Sequence, residues 1–289
     1  MSQLITDQIL ASMTLRTATS FDERVRAAVQ AGFQHIGLGI DEYRQLKNIG
    51  MSSAQLLDIL SSHDAHVVEA DVLYGFEFGG VPGNYQSPLS FLKPSEQGDE
   101  DDFFEMADLF GLRHLQVLGA FGHTLENEDI AQFGALCDRA AEHDLLLVLE
   151  FVPGSSVPDA GVAARVVTEA DRPNGGICAG TWHHFRGARD DALLREMPAE
   201  KVFLLQLSDG TLIAEESDYL QDTLHNRKVP GEGQFDLPSF FALMHELGVS
   251  APVSVEVMSE SLDEGGPMNV ATRLAGCVGR YQLGSPLNA

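Results

Sequence analysis

The feature that most constrains this sequence is a repeated succession of an amphipathic helix, a residue that ends it and a short apolar strand. A helical spacing of apolar residues over Phe21–Ala31 ends at Gly32, and the apolar run His35–Ile40 follows. Glycine is common at such a position because it has no side chain to clash in the left-handed conformation that ends many helices. A helix pattern over Leu237–Leu247 precedes Gly248 in the same way. This alternation predicts an α/β fold.

We predict about eight strands, at Ile9–Leu15, His35–Ile40, His66–Leu73, His114–Gly119, Leu145–Phe151, Gly176–Ala179, Val202–Ser208 and Ser254–Val257. Most are continuous apolar runs, which is typical of parallel strands covered on both faces. Eight strand–helix units in 289 residues predict a TIM (β/α)8 barrel, formed as a single domain over residues 1–289. A doubly wound open sheet is the alternative, and its dinucleotide-binding form is weakened because no Gly-x-Gly-x-x-Gly segment follows the first strand.

Two long segments interrupt the alternation. Gly75–Gly98 follows the third predicted strand, and Asp209–Phe235 follows the seventh. Both leave the carboxyl ends of strands, where TIM barrels build their active sites. Long loops in a compact domain are usually functional or disordered, so we expect these two segments to form lids over a site.

The charge balance excludes several classes of protein. The chain has 18 Lys and Arg against 43 Asp and Glu, and its formal net charge is −25. Proteins that bind nucleic acid or an anionic membrane surface need an excess of cations, so we expect neither partner. No apolar run approaches the ~18 residues of a membrane span, and no signal-peptide pattern is present. Three widely spaced cysteines favour a reducing compartment, so we expect a cytoplasmic protein.

Polar side chains interrupt three of the apolar strands. Glu150 closes an aliphatic run, while Gln206 and Glu256 lie inside two others. A carboxylate buried in such a run needs a charged partner or a metal ion. For any one of these residues, a salt bridge in the core is an equally good explanation. Three oxygen-bearing side chains at the same end of three strands together predict a site for a hard divalent cation such as Mn or Mg.

Further candidates lie near the same strand ends. Trp182, His183 and His184 follow the sixth strand, and Asp71 lies near the end of the third. Arg227 lies in the second long segment, where a guanidinium group can hold a carboxylate or a phosphate. A structural histidine and a surface arginine are the alternatives for these positions.

Several short segments give the chain a resemblance to a known family. They are Leu149–Phe151, Thr181–His183, Leu205–Asp209, Val255–Val257, and Arg227 with the following Val229–Gly233. In these segments the chain resembles the xylose isomerase-like TIM barrels, which include sugar isomerases, epimerases and dehydratases. The resemblance implies one divalent metal (Mn, Mg or Co) held by a Glu, an Asp, a His or Gln, and a second Glu. These positions correspond to Glu150, Gly180, Gln206 and Glu256, so the Asp ligand is replaced by a glycine.

The resemblance also implies a reaction. The metal would bind neighbouring carbonyl and hydroxyl oxygens of a sugar or polyol-like substrate, while Glu150 and Glu256 move protons. His183 would contact the substrate or its oxyanion, Arg227 would anchor a polar or anionic group, and Trp182, His184 and Asp71 would complete the binding site. We therefore expect a metal-dependent isomerase or epimerase that acts on a small molecule.

Several alternatives stay open. One is a lyase or dehydratase of the same fold, including an enzyme that processes a glycoside or another natural product, in which Gly180 leaves the metal weak or absent. Another is a metal-free relative that keeps the barrel for other lyase chemistry or for ligand binding. A zinc phosphodiesterase of the same fold is disfavoured by the net charge of −25. A homodimer or a homotetramer is compatible with the sequence.

Overall fold

The computed structural model describes residues 8–87 and 93–281. Within these residues the strands form a closed barrel in the order β1 to β8, and helices follow the strands along the chain. The chain is therefore a TIM (β/α)8 barrel, which confirms the predicted fold. The alternative of a doubly wound open sheet is wrong, because such a sheet has two free edges and this barrel has none.

The strands lie close to the predicted positions. They are β1 (Ile9–Leu10), β2 (His35–Gly39), β3 (His66–Tyr74), β4 (His114–Leu118), β5 (Leu146–Glu150), β6 (Gly175–Gly180), β7 (Val202–Leu207) and β8 (Val253–Val255). The strands are parallel in the pairs β1–β2, β1–β8, β3–β4, β4–β5, β5–β6 and β7–β8, as the continuous apolar runs indicate.

The first predicted strand is too long. The strand β1 ends at Leu10, and Ser12–Leu15 forms a 3-10 helix instead. The Thr14 hydroxyl donates to the Val255 carbonyl at 3.0 Å and accepts from the Val257 amide at 3.1 Å. Hydroxyl side chains of this kind compete with strand hydrogen bonding, which the apolar pattern alone does not reveal.

Twelve helices follow the turn signals of the sequence within the described ranges. They are α1 (Phe21–Ala31), α2 (Ile40–Asn48), α3 (Ser53–Ser62), α4 (Gln97–Phe110), α5 (Asn127–Ala141), α6 (Ala160–Ala170), α7 (Thr181–Arg186), α8 (Asp191–Arg195), α9 (Tyr219–His225), α10 (Leu237–Glu246), α11 (Glu260–Asp263) and α12 (Gly266–Val278). The helix α1 shows a side-chain cap at its start and a glycine at its end. Ser20 accepts a hydrogen bond from the Glu23 amide at its start, and Gly32 ends it with φ 106°.

The chain divides into two compact units. One unit consists of Met1–Val68 and Leu205–Ala289, and the other consists of Glu69–Leu204. In the first unit, β1 pairs with both β2 and β8, and Gln206 is level with Ser254. In the second unit, β3, β4, β5 and β6 pair in sequence order. A single domain over residues 1–289 stays a prediction.

The two long segments contain more regular structure than predicted. In the first, Phe76–Phe78 forms a 3-10 turn, α4 begins at Gln97, and residues 88–92 lie outside the described ranges. The second contains α9 and a bridge between Asp209 and Lys228. That these segments act as lids stays a prediction.

Two further sequence expectations concern the whole chain. Cys137, Cys178 and Cys277 are free and buried, as their wide spacing indicates. In the described part of the chain, no helix combines the length and the apolar character that crossing a membrane requires.

Candidate functional site

Glu150 and His183 form a buried pair at the carboxyl ends of β5 and β6. The pairing register places Glu150 beside Leu118 of β4 and Cys178 of β6. The helix α7 begins directly after β6 and carries His183, whose Nε2 lies 3.0 Å from Glu150 Oε1. Both residues are buried, and the contact does not have hydrogen-bond geometry, since Glu150 Oε1 has no hydrogen-bond partner among the described residues. A buried carboxylate beside an imidazole is suited to transferring a proton.

Trp182 and His184, the other two predicted site residues on α7, do not contact Glu150 in the same way and have partners of their own. His184 Nε2 lies 3.4 Å from Asp191 Oδ1, and burial lowers the pKa of the His184 imidazole. The Trp182 ring is buried, and the Arg186 guanidinium lies 4.4 Å from its centroid. This distance is typical of a cation–π contact.

A pocket adjoins the Glu150 and His183 pair in the same unit. His183 and His184 form part of its wall, together with Phe151, Ala160 and Leu193. Arg189, with φ 51°, and Asp190 lie at the same pocket. The pocket combines apolar walls with charged and imidazole groups, and its free volume of about 10 Å³ is room for about one water molecule.

Asp71 lies within β3 rather than at its end. It is buried, and the strand register shifts between Ala70 and Leu73. Two residues earlier, Glu69 forms a fully buried pair with His114, whose Nε2 lies 3.0 Å from Glu69 Oε2. Burial lowers the pKa of His114 well below its usual value. This pair lies toward the amino end of β4 and supports the barrel, while a substrate contact by Asp71 stays a prediction.

A buried acid that the sequence did not single out lies directly after β3. Glu77 is 6% exposed, and its Oε1 accepts hydrogen bonds from the Ala120 amide at 2.9 Å and from the Ser156 hydroxyl. The group therefore joins the segments that follow β3, β4 and β5. The signal available in the sequence was the glycines Gly75 and Gly79 on either side of a short aromatic turn, both with positive φ.

The other unit contains a second buried ion pair. Arg227 Nη1 lies 2.7 Å from Glu256 Oε2 and 3.3 Å from the Glu256 carbonyl oxygen, and Arg227 Nε donates to the Thr223 carbonyl at 3.1 Å. Arg227 is 2% exposed and Glu256 is 7% exposed. Glu256 is the first residue after β8, and not inside a strand as predicted. The arginine therefore holds this carboxylate.

The second long segment is organised by Asp209. Its Oδ1 accepts from the Gly210 and Phe235 amides, and its Oδ2 accepts from the Gly231 and Gly233 amides, at 2.7 to 3.0 Å. The carboxylate is 1% exposed. Four backbone donors on one buried carboxylate fix the conformation of the segment that carries Arg227.

The predicted metal ligands do not form a complete donor set in either unit. Glu150 belongs to one unit, and Gln206 and Glu256 belong to the other. Gly180 has no side-chain donor, Gln206 is a neutral amide, and Glu256 is paired with Arg227. Across the described residues, no group of three or more His, Cys, Asp and Glu side chains could hold a metal ion. The residues therefore do not fit the four-donor metal site that the resemblance implies.

Comparison with known proteins gives a family match and several partial relatives. A family model described as a xylose isomerase-like TIM barrel matches residues 25–274. A 3-dehydroshikimate dehydratase of Pseudomonas aeruginosa is 32% identical over 126 residues, which is 43% of this chain and 20% of that protein. An inosose isomerase of Bacillus subtilis is 29% identical over 125 residues, or 42% of this chain and 43% of that protein. The match thus spans about a fifth of the dehydratase and less than half of the isomerase.

Solved structures share the fold at lower identity. The IolI protein, solved with a bound zinc atom, has a TM-score of 0.77 at 16% identity and covers 93% of this chain and 95% of its own. The probable 3-DHS dehydratase AsbF of Bacillus anthracis has a TM-score of 0.69 at 13% identity, with 92% and 97% covered. At these identities the likeness extends to the fold alone.

Proposed function

The chain belongs to the xylose isomerase-like TIM barrel family, and on that premise we propose that it is an enzyme that removes the proton next to a carbonyl group. The observation that carries this proposal is the buried pair of Glu150 and His183 at the carboxyl ends of β5 and β6. Barrel enzymes place their reacting groups at this end of the strands. The sequence relatives with curated names are dehydratases and an isomerase, and all of these are enzymes.

Glu150 is the general base of the proposed reaction. Its carboxylate takes the proton from the carbon next to the substrate carbonyl, and the substrate becomes an enolate or enediolate. His183 Nε2, at 3.0 Å from Glu150 Oε1, is close enough to exchange protons with it.

The proposed substrate is a small carbocyclic hydroxyketone. 3-Dehydroshikimate and inosose, named for the relatives, both carry a ketone on a ring that also carries hydroxyl groups.

The first candidate for the outcome is isomerisation or epimerisation. After abstraction, the proton returns to the same carbon from the other face or to the neighbouring carbon. Dehydration is the second candidate, and one observation favours it. Loss of a hydroxyl group requires a proton donor at the leaving oxygen, and His183 is a second proton-transfer group beside the base.

Arg227 and Glu256 have a supporting part in the proposal. The 2.7 Å contact fixes the Glu256 carboxylate in one orientation and neutralises its charge. An acid–base role for Glu256 and a substrate anchor at Arg227, as the resemblance implies, stay predictions. A divalent ion in this family polarises the substrate oxygens. Because the donor set here is incomplete, no step of the proposed reaction passes through a metal.

Proton exchange in heavy water tests the proposal. The purified protein is incubated in D2O with 3-dehydroshikimate and, separately, with an inosose, and the products are followed by proton NMR. We expect deuterium at the carbon next to the carbonyl, together with either a new isomer or a dehydrated product. Glu150→Gln should slow the exchange by at least about 100-fold, because it removes the base.

The matched control is Glu142→Gln, which changes an exposed carboxylate at the end of α5. It should leave the rate unchanged. The proposal is contradicted if neither ketone exchanges a proton or loses water, or if the two variants have the same rate.

A further inference from the structure

Glu77 joins three segments at the carboxyl ends of the strands in one unit. It lies in the turn after β3, and its Oε1 accepts from the amide of Ala120 after β4 and from the hydroxyl of Ser156 after β5. Gly119 leaves the space for this contact, because a Cβ there would lie 3.0 Å from Glu77 Oε1 and would overlap the Ser156 hydroxyl. The segment that holds Ser156 begins at Glu150, the proposed base.

The two oxygens of this carboxyl group have different surroundings. Oε1 accepts two hydrogen bonds, while Oε2 is buried and has no hydrogen-bond partner among the described residues. An ionised carboxylate would leave a charged oxygen unsolvated at Oε2, which is costly. With a proton on Oε2, the two hydrogen bonds to Oε1 remain and the charge is absent. The geometry therefore favours the neutral acid.

The ionisable groups that face Glu77 are a phenol and an imidazole. Tyr85, from the segment after the turn, and His123, from the segment after β4, interact with it, and His123 Nε2 is already 2.8 Å from Asp129 Oδ2 of α5. No Lys or Arg in the described ranges forms an ion pair with it. Burial raises the pKa of Glu77, while hydrogen bonds from Ser156, from its own backbone and from Ala120, together with the nearby His123, oppose that rise.

We propose that Glu77 is a neutral carboxylic acid that positions the segments after β4 and β5, and that its ionisation at alkaline pH disturbs them and limits activity. It acts through the Ser156 segment on Glu150 and is a positioning residue. The activity part of this inference rests on the proposed function. The protonation part does not, and it is tested on the protein without substrate.

Infrared difference spectroscopy tests the protonation. The spectrum of wild type minus Glu77→Gln at neutral pH should contain the C=O stretch of a protonated carboxylic acid. The band should disappear as the pH is raised. The control Glu128→Gln, at an exposed position on α5, should give no such band. A carboxylate band in place of the acid band at neutral pH overturns the proposal.

Stability gives a second readout without substrate. A carboxyl group whose pKa is raised in the folded state stabilises the protein below its unfolded value, 4.5, and that contribution is lost as the pH rises through the folded pKa. Glu77→Gln keeps an acceptor at Oε1 and does not titrate. The melting temperature of Glu77→Gln minus that of wild type should therefore increase by at least about 2 °C when the pH is raised from 5 to 8. A difference that is constant with pH overturns the proposal.

The pH profile of activity distinguishes positioning from simple structural support. The assay uses 3-dehydroshikimate or the inosose, whichever ketone the wild type converts. Wild type should lose activity on the alkaline side at a pH where Glu77→Gln stays within about threefold of its neutral rate. Ser156→Ala removes a hydrogen bond that favours the ionised form, so its alkaline limb should move to higher pH. An alkaline limb that is the same in all three proteins overturns the positioning role.

If neither ketone reacts, the proposed function fails while the infrared and melting experiments still decide the state of Glu77.

Discussion

At the scale of single residues, the candidate site residues form two contacts between buried, oppositely charged or chargeable side chains. Glu150 with His183 and Glu256 with Arg227 each join a carboxylate to a cationic or potentially cationic partner within 3.0 Å. A buried charge is stable only when its partner is in place, so these contacts respond strongly to removal of one member. The aliphatic runs before Glu150 and around Glu256 made both residues conspicuous in the sequence. The sequence did not reveal that Arg227 is the partner of Glu256.

Removal of Arg227 should destabilise the protein more than removal of the pair. In Arg227→Met the Glu256 carboxylate stays buried without its cation, which costs about 3–5 kcal/mol of unfolding free energy. Adding Glu256→Gln removes that charge and should restore at least half of the loss. Urea unfolding of both single variants and the double variant measures the coupling. A double variant no more stable than Arg227→Met would contradict this account.

His183 and His184 provide a matched comparison on one short helix. His183→Asn should lower kcat at least about tenfold, because it removes the proton-transfer partner of Glu150. His184→Asn should lower it less than about threefold, because His184 faces Asp191 and burial keeps its pKa low. Steady-state kinetics on the ketone that wild type converts checks both. Equal losses at the two positions would argue against the role of His183.

At the scale of elements, the segment from Asp209 to Phe235 is a built structure and not an irregular loop. The Asp209 carboxylate accepts four backbone N–H groups, and the segment includes α9. The composition of this segment, with Pro230, Gly231 and Gly233, predicted a long loop. The composition did not indicate that one buried carboxylate, that of Asp209, binds four backbone N–H groups of the segment.

Changes at Asp209 and Gly233 should loosen this segment. Asp209→Asn replaces one acceptor oxygen with an N–H group facing backbone donors, and a cost of about 2–4 kcal/mol is expected from hydrogen bonds to a charged group. Gly233→Ala should be costly as well, because a Cβ there would overlap Asp209 Oδ1. Gly276→Ala is the control, because no atom lies within 4 Å of a Cβ at that helical position.

The control should stabilise α12 by up to about 1 kcal/mol, since alanine favours a helix over glycine. Urea unfolding measures all three variants. A loss below about 0.5 kcal/mol in Asp209→Asn would mean that the four hydrogen bonds contribute little.

At the scale of the whole molecule, the family fold is kept while its metal donor set is not. The resemblance places an acid at position 180, and this chain has a glycine there with φ −93° and ψ 130°, a conformation that any residue adopts. The backbone conformation at position 180 therefore does not require glycine. It removes a donor and leaves the rest of β6 intact.

Restoring that acid should restore metal affinity. In Gly180→Asp a carboxylate is added to the unit that contains Glu150 and His183, and Mn binding should tighten at least about tenfold over wild type. Gly180→Asn is the isosteric control and should gain less, because it lacks the charge. Isothermal titration with MnCl2 measures the affinity without any assay of activity. Equal affinity in wild type and Gly180→Asp would show that position 180 is not part of a metal site.

The sequence by itself determined the fold and most of the strand limits. Apolar runs, helical periodicity and helix-ending glycines are local signals, so the alternation of helix and strand could be read without knowledge of the packing. The same signals placed Glu150 and His183 at neighbouring strand ends, since parallel strands align their carboxyl ends. They failed at Ser12–Leu15, where the Thr14 hydroxyl forms hydrogen bonds with backbone atoms far away in the sequence.

Only the tertiary structure decided which polar groups meet. Glu77 and Ser156 are 79 residues apart, and Arg227 and Glu256 are 29 apart. The residue types state what each side chain can donate or accept, but not which partner it finds. The partner depends on distances of a few ångströms between segments that are remote in the chain. Those distances determine whether a buried acid forms an ion pair, as Glu256 does with Arg227, or forms none with a Lys or Arg of the described residues, as at Glu77.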